Sequence, residues 1–258
     1  MARKHHAPER LSFDQALARL PVIEAHLKKI LARLERVRPL GPRAKVLDIG
    51  AAQGLFLIAC ARHGLDAVGV EPSDAARELA RRLAEHEGTA VRILPGTAES
   101  LPLPDEQFDF AHANSVIEHV GDAAAAFGEV FRVLKPGGVF WFSAASSMCP
   151  RQREIAWFPA FGWYPGRLKR RIMEWAGKNR PHLIGHTATP AINWFTPGKA
   201  RRMLRQAGFS RVYDRWDLRL PAEGGKLHAA ALRLIRSCGP SKLIAEVLVP
   251  HCSYAAVK

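Results

Sequence analysis

The chain reads as an α/β fold: a doubly wound, mostly parallel, Rossmann-like sheet, with a helical extension before it and an insertion after its fifth strand. Three observations predict this. Val46-Leu47-Asp48-Ile49 is an apolar run ending beside an acid, and Gly50 to Gly54 then forms a tight glycine turn into a helix start. A second apolar run, Ala67-Val68-Gly69-Val70, ends at Glu71. Beyond it, short strands alternate with helical stretches, the pattern of a parallel sheet covered on both faces.

Each element has its own signal. Leu17, Leu20, Ile23, Leu27, Ile30, Leu31 and Leu34 recur at three and four, which predicts helix over 12–37, and Pro21 marks a break or a second start. Pro39-Leu40-Gly41-Pro42 is a linker into the first strand. One core helix runs from about Gln53 to His63 and stops at Gly64; the next starts near Ser73 and ends before Gly88. A third spans 123–134 and is stopped by Lys135-Pro136-Gly137-Gly138. Strands are expected at 92–94, 108–112 and 139–144. A long connection follows over 146–195. Thr196-Pro197 then opens a helix that ends at Gly208. A strand at 211–214, a helix near 227–236, a turn at Gly239-Pro240, a short helix and a strand near 253–257 complete the chain.

This predicts one domain over 1–258: a helical extension (1–40), a ligand-binding core (41–145), a cap (146–195) and a completing helix and strand (196–258). A chain of 258 residues buries a full core. No run of eighteen apolar residues appears, so no spanning helix is expected, and the basic N-terminus is not followed by a signal-peptide core. Cys60, Cys149, Cys238 and Cys252 lie far apart without C-x-x-C spacing. They are expected to be reduced thiols of a cytoplasmic protein, with no metal site. The net charge of +14 favours anionic partners: nucleic acid, acidic lipid or an anionic substrate. An arginine-rich solvated surface is the plain alternative.

Glycine turns of this kind serve dinucleotides or S-adenosylmethionine. A dinucleotide turn has G-x-G-x-x-G facing a pyrophosphate, but here the spacing is Gly50-x-x-x-Gly54, with Ala52 in place of the middle glycine. Asp48, just before the turn, would repel a pyrophosphate and suits the cationic methionine part of S-adenosylmethionine. Glu71 is placed to accept hydrogen bonds from ribose hydroxyls.

Three further blocks carry a resemblance. They are Leu94-Pro95-Gly96-Thr97-Ala98-Glu99-Ser100-Leu101-Pro102 running on to Asp109, then Phe110 to Val120 with its Glu118-His119 pair, then Val130-Phe131-Arg132-Val133-Leu134-Lys135-Pro136-Gly137-Gly138. With the glycine turn, and in this order over 45–145, the chain resembles class I S-adenosylmethionine-dependent methyltransferases, in the branch that includes the ubiquinone and menaquinone biosynthesis enzymes. The resemblance implies S-adenosyl-L-methionine as cofactor, held by Asp48, Gly50, Ala51, Gly54, Glu71, Pro72, Thr97, Ala98, Glu99 and Asn114. Thr97 stands where the family often has an acid for the adenine amino group, which shifts adenine recognition toward the Ala98 backbone amide.

Methyl transfer is an in-line displacement that depends on alignment, and a base is needed only where the acceptor must lose a proton. His119, after the fourth strand, is the leading candidate base; a structural histidine bonded to a loop carbonyl is the alternative. His186, in the cap, is the second candidate. Trp157, Phe158, Phe161, Trp163, Tyr164, Trp175, Trp194 and Phe195 make the long connection too aromatic for disorder. It is read either as a cover over the acceptor or as a satellite core. Arg167, Lys169, Arg170 and Arg171 suit an acidic headgroup surface, single-stranded RNA or a solvated helix face.

The sequence therefore predicts a cytoplasmic methyltransferase acting on a small-molecule or lipid-like acceptor at oxygen or carbon, with peripheral association at the inner face of a membrane as a further expectation. An RNA methyltransferase is one alternative, although Asn114-Ser115-Val116-Ile117 replaces the N/D-P-P-Y/F block of many base-amino enzymes. A non-catalytic S-adenosylmethionine-binding or membrane-associated scaffold is the other.

Overall fold

The computed structural model describes residues 12–152, 155, 157–184 and 191–258. In chain order the elements are α1 (Phe13–Leu17), α2 (Leu20–Leu34), β1 (Lys45–Ile49), α3 (Leu55–Arg62), β2 (Asp66–Val70), α4 (Asp74–His86), β3 (Arg92–Leu94), β4 (Phe108–Asn114), α5 (Ala123–Val133) and β5 (Leu134–Ala145). They continue with α6 (Gly166–Asn179), α7 (Pro197–Gln206), β6 (Arg211–Asp214), α8 (Arg215–Leu218), α9 (Lys226–Ser237), α10 (Gly239–Val247) and β7 (His251–Val257).

The strands form one sheet in the order β3-β2-β1-β4-β5-β7-β6. β1 pairs in parallel with β2 and β4, and β7 runs antiparallel between β5 and β6. Both faces are covered, as near-continuous apolar strands require. Leu47, Ile49, Phe140 and Phe142 pack with α5 and α7 residues on one face. Val46, Phe110, Val139 and Trp141 pack with Leu27, Ile30 and Leu34 of α2 and Phe56 of α3 on the other.

The punctuation behaves as its chemistry demands. Pro21 sits in the first turn of α2, where a missing N–H costs nothing. Ser73 and Thr196 cap α4 and α7, each hydroxyl accepting a backbone amide two or three residues into the helix. Three expectations need correction. β5 begins at Leu134, because Leu134 already pairs with Phe108 across an irregularity before Val139 meets Phe110. Gly239-Pro240 opens α10 instead of making a free turn, the proline again occupying a first helical turn. The connection after β5 contains the fourteen-residue helix α6, whose Met173 and Ala176 face inward.

That connection has a core of its own. Phe161, Met173, Ala176 and Trp194 are buried together with Ala145, whereas Trp157, Trp163 and Trp175 stand exposed. The basic cluster also divides: Arg167, Arg170 and Arg171 are exposed, but Lys169 is buried, with Nζ donating to the Gly162 carbonyl and lying 4.5 Å from the centre of the Trp194 ring. No described helix is long and apolar enough to cross a membrane.

Candidate active site

The glycine turn lies at the C-terminal ends of β1 and β2, where open α/β sheets bind ligands. Gly50 and Gly54 take φ of 68° and 69°, and Ala52 takes 46°, a left-handed conformation that costs an alanine about 1 kcal/mol. The Gly50 and Ala51 amides donate to the Val70 carbonyl at 2.8 and 3.1 Å, which ties the turn to the end of β2. A Cβ on Gly50 would lie 2.5 Å from Val116 Cγ2. The loop after β4 therefore rests directly on the turn.

Glu71 begins the segment after β2. Its Oε2 accepts the Ala52 amide at 3.0 Å and its Oε1 accepts the Ser73 amide at 2.9 Å. Each carboxylate oxygen keeps a second lone pair, so the group is fixed in place and still able to accept two vicinal hydroxyls. Pro72, between Glu71 and the Ser73 cap, is exposed. Thr97 is exposed beyond β3, and Ala98 is buried beside it. A backbone that approaches closely at the turn, an oriented acid at the end of β2 and a short polar residue after β3 fit an adenosyl group. Glu71 and the Ala98 amide would hold it.

Two candidate residues have structural partners. Asp48 and His112 face each other in register on β1 and β4, and His112 Nδ1 donates to Asp48 Oδ1 at 2.8 Å. Both side chains are buried, with Phe56 stacked on the His112 ring at 3.9 Å. Asp48 thus sits beneath the turn on the α2/α3 face of the sheet. Glu99 Oε1 accepts the Gly121 amide at 2.8 Å, bracing the loop after β4 from the β3 side. Asn114, exposed at the end of β4, accepts the Ser143 hydroxyl. Ser115, the next residue, has φ of 55°, so the chain turns sharply as it leaves the strand.

His119 is half-buried in that loop, and its backbone amide donates to the Val116 carbonyl at 2.9 Å. The loop is clamped from the other side by the extended end of the connection after β5. The Ile192 and Asn193 amides donate to the Glu118 carbonyl at 2.8 and 3.0 Å. Asn193 Nδ2 reaches the Ile117 and Val120 carbonyls at 3.3 and 2.8 Å. Asn193 is buried, and nothing in the sequence around it marks it out; its role comes from a contact spanning more than seventy residues. His186, the second candidate base, lies outside the described residues.

Residues 47–142 match the family described as Methyltransferase domain. A ubiquinone biosynthesis O-methyltransferase from Methylobacterium sp. (strain 4-46) is 32% identical over 152 residues, covering 56% of this chain and 61% of that protein. The enzyme of the same name from Paramagnetospirillum magneticum (strain ATCC 700264 / AMB-1) is 39% identical over 95 residues, covering 37% and 38%. The chain thus spans less than two thirds of the length of these relatives. The S-adenosylmethionine-dependent methyltransferase structure from Mesorhizobium loti aligns with a TM-score of 0.58 at 20% identity, covering 96% of this chain and all of that one. That likeness concerns the fold. Residues 47–142 of this chain thus match a methyltransferase domain, and the fold is similar to that of S-adenosylmethionine-dependent methyltransferases, a class whose cofactor is S-adenosyl-L-methionine.

Proposed function

We propose that the chain transfers a methyl group from S-adenosylmethionine to a small-molecule or lipid-like acceptor, at oxygen or carbon. The observation that carries this reading is Glu71, held between the Ala52 and Ser73 amides beside a glycine turn on which the His119 loop rests. The names of the two relatives favour an acceptor hydroxyl over carbon.

S-adenosylmethionine, when bound, supplies a methyl group already activated by the sulfonium charge. The residues then have three tasks. Glu71 accepts the ribose hydroxyls and fixes the donor's position. The loop after β4, pressed on Gly50 and clamped by Asn193, holds the acceptor side of the site at a set distance, which is where alignment lowers the barrier. A ring nitrogen of His119 accepts the proton that an acceptor hydroxyl releases. Asp48 lies below the turn, and the His112 hydrogen bond fixes its carboxyl group there.

We also propose that α6 meets an acidic membrane surface. Leu168 and Trp175 are exposed one helical face apart from the buried Met173 and Ala176, and Arg167 and Arg171 flank them. An apolar stripe edged by cations is the arrangement that settles at a headgroup boundary.

Calorimetry tests the central reading. Glu71→Ala should weaken S-adenosylmethionine binding roughly ten- to a hundredfold, the worth of charged hydrogen bonds of ~1.5–3 kcal/mol. Unchanged affinity in a folded variant removes Glu71 from the site, and NADH binding tighter than S-adenosylmethionine overturns the whole reading.

A further inference from the structure

A cavity of about 640 Å³ lies in the cap, between the N-terminal half of α6 and the start of α7. Arg167, Lys169 and Arg170 reach it from α6, and Lys199 from α7. Trp163, Tyr164 and Trp194 supply aromatic wall, and no carboxylate is among the described residues that line it.

Two of these cations, Arg170 and Lys199, are placed by backbone carbonyls. Arg170 Nε donates to the Ile192 carbonyl at 3.1 Å, and Lys199 Nζ donates to the Trp194 carbonyl at 3.0 Å. Lys199 Nζ also lies 4.8 Å from the centre of the Phe195 ring. Neither Arg167, Arg170 nor Lys199 forms an ion pair with a described carboxylate. Four cations gathered around one cavity repel each other, and that cost is recovered when an anion enters.

We propose that this cavity binds the anionic group of a small aromatic or apolar molecule, a carboxylate or a phosphate ester. Lys199 and Arg170 meet the charge, and Trp163 and Trp194 cover the carbon skeleton. A guanidinium beside an ammonium suits a group with two or three acceptor oxygens. Burial and the neighbouring Arg170 and Arg202 hold the Lys199 amine below its ordinary range, and a bound anion would reverse that shift.

The position of the cavity joins it to the proposed chemistry. Ile192, one of its walls, donates its amide to the carbonyl of Glu118, the residue before His119. An anion held here anchors a molecule whose remainder extends toward the loop after β4. That the occupant is the methyl acceptor rests on the proposed methyl transfer; that the cavity takes an anion does not.

The test is calorimetry on the full chain with phenyl phosphate and benzoate, against neutral benzyl alcohol. Variants Lys199→Met and Arg170→Met remove the charge within the cavity, Arg167→Met removes it at the mouth, and Arg211→Met is a distant control. S-adenosylhomocysteine affinity, measured in every variant, reports an intact fold and donor site. The expected result is saturable one-to-one binding of an anionic probe, at least tenfold tighter than benzyl alcohol. Lys199→Met and Arg170→Met should each weaken it tenfold or more, with Arg211→Met and S-adenosylhomocysteine affinity unchanged. No preference for the anionic probes, or unchanged affinity in both cavity variants, overturns the proposal. Anionic probes that bind while S-adenosylhomocysteine does not would uphold the cavity and sink the methyltransferase reading. A second arm separates the sources of the anion. Vesicles of phosphatidylglycerol that bind the chain and are displaced by phenyl phosphate identify a lipid headgroup; phenyl phosphate binding without vesicle competition identifies a soluble anion.

Discussion

In the proposed site, Gly50 and His119 divide the work between backbone and side chain. Gly50 cannot carry a Cβ for two separate reasons: its φ of 68°, and Val116 Cγ2 at 2.5 Å from where that atom would be. Gly50→Ala should therefore cost about 1–2 kcal/mol for the left-handed backbone alone. It should also push Val116 off the turn, weakening donor binding and lowering turnover together. The check is S-adenosylhomocysteine titration alongside chemical denaturation, and an alanine variant with wild-type donor affinity would show that the loop need not touch the turn. The role proposed for His119 is different, because it is chemical. His119→Ala should lower turnover about a hundredfold, the usual worth of a general base, and leave donor affinity nearly intact. Normal turnover with a known acceptor would make His119 a structural loop residue.

At the scale of elements, the sequence was most legible where local chemistry decides the outcome. Strands β1 to β4, the Ser73 and Thr196 caps and the Gly64, Gly88 and Gly208 stops all depend on near neighbours, and all stand where pattern and punctuation place them. Helix α6 was not legible. Its inward Met173 and Ala176 are outnumbered by cations, and Lys169, which reads as surface, is buried under Trp194. The clamp on the loop after β4 was invisible for another reason: it joins Asn193 to Ile117 and Val120 across the whole connection after β5. That clamp gives a prediction at this scale. Asn193→Leu keeps the volume but leaves the Ile117 and Val120 carbonyls less well satisfied, at a cost of about 1–3 kcal/mol. The effect should fall on turnover, through a loosened His119 loop, while donor affinity stays within twofold. Steady-state kinetics paired with calorimetry separates the two, and an equal loss in both would assign Asn193 to global stability alone.

Across the whole molecule, the N-terminal helices are part of the fold and not an appendage. Leu27, Ile30 and Leu34 of α2 share one core cluster with Val46, Phe110 and Trp141 of the sheet. His26 lies on this contact, 6.0 Å from the His112 ring, and its Nε2 is buried without a hydrogen-bond partner among the described residues. Burial lowers its pKa from 6.5 to about 4, and His112, Arg33 and Lys29 add to the shift in that order. The consequence for stability has a definite sign. Between pH 4 and 6.5 the unfolded chain holds a proton on His26 that the folded chain does not, so stability rises with pH across that window and is lost as pH falls through it. With some residual solvent access, the contribution is about 2 kcal/mol. Urea denaturation at pH 7.5, 6, 5 and 4.5 should show this loss in the wild-type chain. His26→Leu, which fills the same contact without a titrating group, should flatten that part of the profile and leave the carboxylate-driven loss at lower pH. Equal slopes for the two proteins between pH 6.5 and 4.5 would mean that α2 leaves the sheet, or admits water to His26, before the molecule unfolds. The acid sensitivity would then belong to that local opening and not to the global fold.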